Sequence, residues 1–315
     1  MIGQLRLVAL VTAALAVSRV QTTLPPSPRA LPTERASNVF FARADVNGVG
    51  PMWFCLDTGA NLTVLDPAVA RSLGLTVIDE GARSGVGSAT GSTQLGRTRG
   101  VAVHVGRMPP FAPKSLYVVP VRPMAKFLGH RIDGVLGVDF MRRHVVEFDY
   151  ANGEVIFHEP ATFAYHGPGQ ILPIDVTDNI LTVRAPITLP DGEVIAARWL
   201  VDTGRNGRPM LNAPFVKRHR LIDRFASRTE LSVSQGVNGF MRARTARLGA
   251  LRLGTLPIER PVVDLSEATA GLSATEAYDG HLGALLLSEF RLLIDFPGRR
   301  LVLEPKRAHF HAHTY

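Results

Sequence analysis

Cysteine is almost missing from this chain: Cys55 stands alone among 315 residues. No intramolecular disulfide can form, even in a compartment that would permit one. Cys55 sits in an apolar run beside Asp57 and reads as a small buried hydrophobe, because no partnered histidine lies near it to make a reactive thiol. Aromatic residues are few, at 7% with two tryptophans. The basic clusters Arg142-Arg143, Lys217-Arg218-His219-Arg220 and Arg299-Arg300 are short and not interleaved with aromatics. They read as solvated surface, so the net charge of +8 does not point to a nucleic-acid partner, although it leaves attraction to an anionic envelope surface open. Helical periodicity is rare. No apolar run near the start is long enough to span a bilayer as a helix.

Glycine and proline, by contrast, are plentiful, with 29 and 22 copies. Together with short apolar runs they predict an all-β protein of short strands, many turns and a few short helices. The length suits two modest domains or one large one.

The first residues read as a targeting segment. Arg6 and the amino terminus supply positive charge, Leu7 to Val17 is apolar, and Ala14-Leu15-Ala16 has the small-x-small spacing of a cleavage site. Residues 1–18 are therefore expected to be a signal peptide, with an uncleaved anchor or a mis-assigned start as the alternative. The absence of a cysteine after this run argues against a lipid anchor. A secreted or periplasmic protein follows, with no stable membrane insertion after cleavage. Residues 19–36, "RVQTTLPPSPRALPTERA", read as an extended proline-rich leader.

The rest of the chain repeats itself. "FCLDTGAN" (54–61) returns as "WLVDTGRN" (199–206), "DGVLG" (133–137) as "DGHLG" (279–283), and "VEFDYANGEVIF" (146–157) as "LLIDFPGRRLVL" (292–303). The offsets are 145, 146 and 146, in the same order, which a duplicated β-domain explains. Each copy begins with an extended segment ("VFFARADV", "LTVRAPITL"), passes a polar turn ("NGVGP", "PDGE") and enters the Asp-Thr-Gly strand. A short helix follows. Asp66, Pro67 and Gly74 suit its cap, first position and end in the first copy, and Asn212 takes the cap role in the second. Glycine-rich hairpins come next, carrying Gly85, Gly87 and Gly91 in one copy and Gly236 and Gly239 in the other. The expected divisions are 37–160 for the first lobe, 161–170 for a linker, 171–306 for the second lobe and 307–315 for a tail.

Two carboxylates at equivalent places suggest a two-fold site. If the copies pack face to face, Asp57 and Asp202 meet near the axis, and a pair that close shares one proton. The ionised member can take a proton from water while the protonated member polarises a peptide carbonyl, which is general acid–base hydrolysis without an acyl-enzyme. Thr58 and Thr203 can fix the opposite turn by their hydroxyls. Gly59 and Gly204 let the backbone come close to the carboxylates. The apolar approaches Phe54-Cys55-Leu56 and Trp199-Leu200-Val201 keep the site dry. The hairpins can close over an extended peptide as an added strand.

On these motifs the chain, from about residue 37 to 306, resembles retropepsin-like aspartic proteases of the tandem single-chain kind, related to the pepsin fold. The resemblance implies one β-barrel-like lobe per copy, a site in the cleft between lobes, Asp57 and Asp202 as the catalytic pair, an extended peptide or unfolded protein as substrate, a two-lobed monomer, and no cofactor or metal. Three departures stand out. Ala60 follows the first Asp-Thr-Gly, but Arg205 follows the second, where its charge would favour an ionised Asp202 or point outward without effect. "GRPML" (207–211) replaces "LTVL" (62–65). Neither hairpin has the tyrosine of a pepsin flap, which brings both closer to the retropepsin plan. Arg205 keeps a second reading open, a peptide-binding protein that has lost hydrolysis. A third, a structural β-domain of the envelope, requires the two carboxylates to lie far apart.

Other residues read as ordinary structure. Asp133, Asp279, Asp149 and Asp295 suit turns. His309, His311 and His313 read as a solvated tail, and no Lys-Ser/Thr follows the first glycine-rich segment to make a phosphate loop.

Overall fold

A computed structural model describes residues 28–84, 92–225, 229–236 and 239–306. The signal peptide, the first nine residues of the leader expectation and the histidine tail lie outside these.

The first half begins with β1 (Arg29–Leu31) and β2 (Thr33–Ala36). Residues 29–36 are thus more than a leader: they pair into two different sheets. β3 (Val39–Val46) and β4 (Val49–Leu56) form a hairpin whose turn residues Asn47 and Gly48 both have positive φ, 51° and 77°, the twist such a hairpin requires. β5 (Val64–Leu65) leads into α1 (Pro67–Ser72). Then follow β6 (Ile78–Ser84), β7 (Ser92–Thr98), β8 (Val103–Val105), β9 (Leu116–Val118), α2 (Ala125–Leu128), β10 (Gly134–Leu136), α3 (Val138–Met141), β11 (Val145–Asp149) and β12 (Glu154–His158).

The second half runs through β13 (Gln170–Thr177), β14 (Ile180–Arg184), β15 (Ile187–Thr188), β16 (Val194–Ile195), β17 (Arg198–Asp202), β18 (Met210–Leu211), α4 (Ala213–Arg218), α5 (Leu221–Arg224), β19 (Glu230–Gly236) and β20 (Gly239–Arg247). It closes with β21 (Ala250–Leu253), β22 (Leu256–Glu259), β23 (Val262–Ser266), β24 (Gly280–Gly283), α6 (Ala284–Leu287), β25 (Phe290–Asp295) and β26 (Arg300–Pro305). The single segment expected at 181–189 is broken into β14 and β15 at Ala185-Pro186, where proline has no N–H for the ladder. The linker expectation ends inside β13.

Strand order is alike in the halves: β3-β4-β10-β5-β9-β7-β6 in one, β14-β17-β24-β18-β23-β20-β19 in the other. These are open sheets ending on β6 and β19, and no closed barrel forms among the described residues. β1, β12 and β11 join β25, β26 and β13 in a sheet that spans the halves. β11 and β25 are antiparallel, from Val145↔Asp295 to Asp149↔Arg291. The middle pair is Glu147↔Leu293, two positions separated by 293 − 147 = 146, the offset of the closing hairpins themselves. A pseudo-two-fold axis therefore passes through this pair. One continuous apolar core holds residues of both halves, from Phe40 and Phe54 to Trp199 and Phe290.

Candidate active site

Each Asp-Thr-Gly leaves the end of a central strand. β10 lies between β4, to which it is parallel, and β5, to which it is antiparallel, while β24 lies in the same way between β17 and β18. The loop after each aspartate must therefore cross the strand that separates its two ends. The crossing explains the downstream glycines. A Cβ on Gly137 would stand 2.6 Å from the Leu62 carbonyl carbon, and one on Gly283 would stand 2.3 Å from the Gly207 oxygen. Matching backbone bonds pin the crossings: Val138 N–H to Ala60 O at 2.8 Å and Ala284 N–H to Arg205 O at 2.7 Å.

The threonines clasp the two loops across the axis. Thr58 N–H donates to Thr203 Oγ1 and Thr203 N–H to Thr58 Oγ1, both at 3.1 Å. The Thr58 hydroxyl donates to Val201 O at 2.6 Å and the Thr203 hydroxyl to Leu56 O at 2.9 Å. Each aspartate then packs on the glycine of the other copy. A Cβ on Gly59 would lie 2.4 Å from Asp202 Oδ1, and one on Gly204 would lie 2.1 Å from Asp57 Cγ. The structure thus brings together all six residues expected at the centre, Asp57, Thr58, Gly59, Asp202, Thr203 and Gly204.

Asp202 is 6% exposed and Asp57 is half-buried. Gly59 N–H donates to Asp57 Oδ1 at 2.7 Å. Burial and the charge of Asp202, with a hydrogen bond between the two side chains, push the Asp57 carboxyl up to about 8, against the opposing pull of the Gly59 and Ala60 N–H groups. Burial, with Asp57 and Asp202 nearby, pushes the Cys55 thiol up as well, so it stays protonated and unreactive.

Arg205 differs from the outward-pointing expectation: it is turned inward, and its charge interacts with that of Asp202. Its guanidinium is buried against β23, 3.4 Å from Asp264 Oδ2 and 3.6 Å from Met210 Sδ. Burial pulls the Arg205 guanidinium down from its ordinary range, with the charges of Asp264 and then Asp202 opposing it. A buried carboxylate on β23 turns the arginine inward, and no sequence spacing signals that encounter.

Asn212 also differs. It stands at the N-cap of α4, but its side chain does not cap the helix and donates to Tyr278 O at 2.9 Å. Asp66 does cap α1, accepting from Ala68 N–H at 2.8 Å, and Gly74 ends that helix with φ 62°. Asp133 and Asp279 hold strand ends by accepting Trp53 and Arg198 N–H groups. Asp149 and Asp295 organise turns, accepting from Ala151 and Gly298 respectively.

Gly236 and Gly239 face each other near the tip of the β19–β20 hairpin. Gly85, Gly87 and Gly91 lie outside the described residues. The hairpin reaches toward the first half: the Phe240 ring meets Phe127 of α2 edge-on at 6.3 Å. No cluster of three or more potential metal-ligating side chains occurs among the described residues. No helix there is long and apolar enough to cross a membrane.

Two residues near the site were not singled out in the sequence. Asp139 accepts from the Thr63 hydroxyl at 2.7 Å, and that hydroxyl accepts from Gly137 N–H at 3.1 Å, which stiffens the first crossing. His281, fully buried on β24, has Nδ1 3.0 Å from Asp202 Oδ2. Its only signal was its identity, a histidine where the first copy has Val135.

Residues 42–140 match the family described as aspartyl protease. Over 162 residues the chain is 24% identical to DNA damage-inducible protein 1 of Chaetomium globosum, a span covering 51% of this chain and 33% of that protein. It thus spans about a third of that relative's length. The chain is similar to retropepsin-like aspartyl proteases, and the matched family segment contains the first Asp-Thr-Gly.

Proposed function

We propose that the protein is an aspartic endopeptidase that cleaves extended peptides with a water held between Asp57 and Asp202. The observation that carries this reading is the reciprocal packing of each aspartate on the other copy's glycine, locked by the crossed threonine bonds. Two carboxyls joined by a hydrogen bond do not both ionise readily, and the raised Asp57 carboxyl supplies an acid at neutral pH. The remaining carboxylate supplies a base. The β19–β20 hairpin, which leans toward α2, offers backbone edges to an extended chain. The amino-terminal apolar segment supports export to the cell envelope, and the two-lobed chain supports action as a monomer.

The competing reading, a peptide-binding protein without hydrolysis, drew on Arg205. Its guanidinium is engaged with Asp264, and its charge on Asp202 favours the anion that serves as the base. The test is cleavage of a denatured protein mixture between pH 3 and 8. Activity is expected from the full chain and its loss from Asp57→Asn. Unchanged cleavage by that variant refutes the proposal, and tight peptide binding without turnover by the unaltered protein favours the competing one.

A further inference from the structure

The two halves treat their aspartates differently, and the difference is an imidazole. In the first half the middle of β10 is Val135, opposite Cys55 and Val64, in an apolar cluster with Val39, Phe41 and Ile132. In the second half the middle of β24 is His281, opposite Leu200 and Met210. Strand alternation puts its side chain on the face that also carries Asp202, and Nδ1 reaches Oδ2 at 3.0 Å.

We propose that His281 is a positioning residue that holds Asp202 as the charged member of the pair and so leaves the shared proton on Asp57. This assignment rests on the peptidase reading above. Two like carboxylates in like surroundings would share the proton evenly. A donor fixed to one of them favours its anion and removes the degeneracy. Nε2 of His281 is buried without a hydrogen-bond partner, and the ring edge meets Tyr278 at 5.2 Å. A cationic imidazole would bury a second N–H with no acceptor. The neutral ring with its proton on Nδ1 buries only a lone pair there.

Other charged and titratable groups surround the pair. Asp57 and Cys55 approach from β4. Arg205, after β17, is engaged with Asp264 on β23, and its charge favours the Asp202 anion in the same direction as the His281 donor. Tyr278, before β24, and Tyr150, after β11, are phenols that burial keeps protonated, and the charge of Asp202 reinforces this in both.

The roles in the reaction follow. Asp202 takes a proton from the water as its oxygen adds to the peptide carbonyl carbon, and Asp57 gives its proton to the carbonyl oxygen. Asp202 then delivers its proton to the amide nitrogen as the C–N bond breaks. The diol hydroxyl returns its proton to Asp57 as the new carboxyl forms. His281 donates throughout and exchanges no proton.

The experiment compares the pH–rate profiles of the full chain, His281→Val and His281→Asn, since an asparagine amide can stand where Nδ1–H stood. Valine, the residue of the other half, is expected to lower kcat about 10- to 100-fold and to move the acid limb up by about one pH unit, with KM little changed. Asparagine is expected to restore the acid limb. A valine variant with an unmoved acid limb, or an asparagine variant no better than valine, overturns the proposal. A second measurement needs no turnover: the ring 15N signals of His281 in Asp57→Asn protein. Protonated Nδ1, shifted by adding Asp202→Asn, supports the proposal, while protonated Nε2 refutes it. Failure of the peptidase reading would show separately, as cleavage that survives Asp57→Asn.

Discussion

The Asp57 carboxyl ties stability to pH in the direction opposite to that of a salt-bridged carboxylate. Its value is raised from 3.8 to about 8 in the fold, so between those limits the folded chain holds a proton that the unfolded chain has released. Stability contributed by this group is fully present below pH 3.8 and declines as pH rises toward 8. Asp57→Asn is therefore expected to melt a few degrees higher than the unaltered protein at pH 8.5. The gap should close near pH 3.5, as read by thermal denaturation at both pH values. A gap independent of pH would contradict the assignment. Arg205→Ala should do the reverse. It strands Asp264, whose carboxyl burial already pushes up, and is expected to lose about 3–5 kcal/mol in chemical denaturation with no gain in turnover. Legibility at this scale follows chemistry that is local in sequence. The two Asp-Thr-Gly motifs were readable because each carries its own strand, turn and glycine. His281 and Asp264 were not, because they reach the site through strand pairing from residues about 60 to 80 positions away, as the separations of their contacts with Arg205 and Asp202 record.

At the scale of elements, the crossing loops leave little freedom. Gly137→Ala and Gly283→Ala would each drive a methyl group into backbone, at 2.6 and 2.3 Å, so neither neighbour can yield by a rotamer change. Both variants are expected to lose soluble expression or activity. A variant folded and active to within twofold would show that the crossing loops can shift. Asp66 ties α1 to a second segment, accepting from the Ala68 N–H and from the adjacent Val121 and Arg122 N–H groups, and Asp66→Ala is expected to cost at least about 2 kcal/mol in urea unfolding. This cap was visible in the sequence because Pro67 and Gly74 bracket the helix. The equivalent reading of Asn212 failed because its amide found the Tyr278 carbonyl, a tertiary contact that outcompetes the local one. The break between β14 and β15 was signalled by Pro186, but the apolar run around it read as continuous.

For the whole molecule, the sheet that joins the halves is the main structural link. β11 is buried along its entire length, and Glu147 within it is reached by Arg291 at 2.5 Å and His158 at 2.8 Å. Residues 28–160 expressed alone would expose the β11 edge and half of a shared core, and are expected to self-associate or precipitate in size-exclusion chromatography. A stable monomer would show that the core divides between the halves. The all-β class and the two-fold plan were legible from turns and matched motifs. The shared sheet was not, because nothing in one strand states which strand it will meet.

The meeting of β11 with β25 at Glu147 and Leu293 has a further consequence, which concerns division of labour. Two identical chains closing around such an axis must place every residue twice. An imidazole on one carboxylate would then face an imidazole on the other, both aspartates would be held as anions, and no acid would remain to protonate a leaving group. One chain that supplies both sides of its own axis escapes that obligation. It can set valine against histidine and alanine against arginine, and so keep an acid and a base fixed in different halves of a nearly symmetric site.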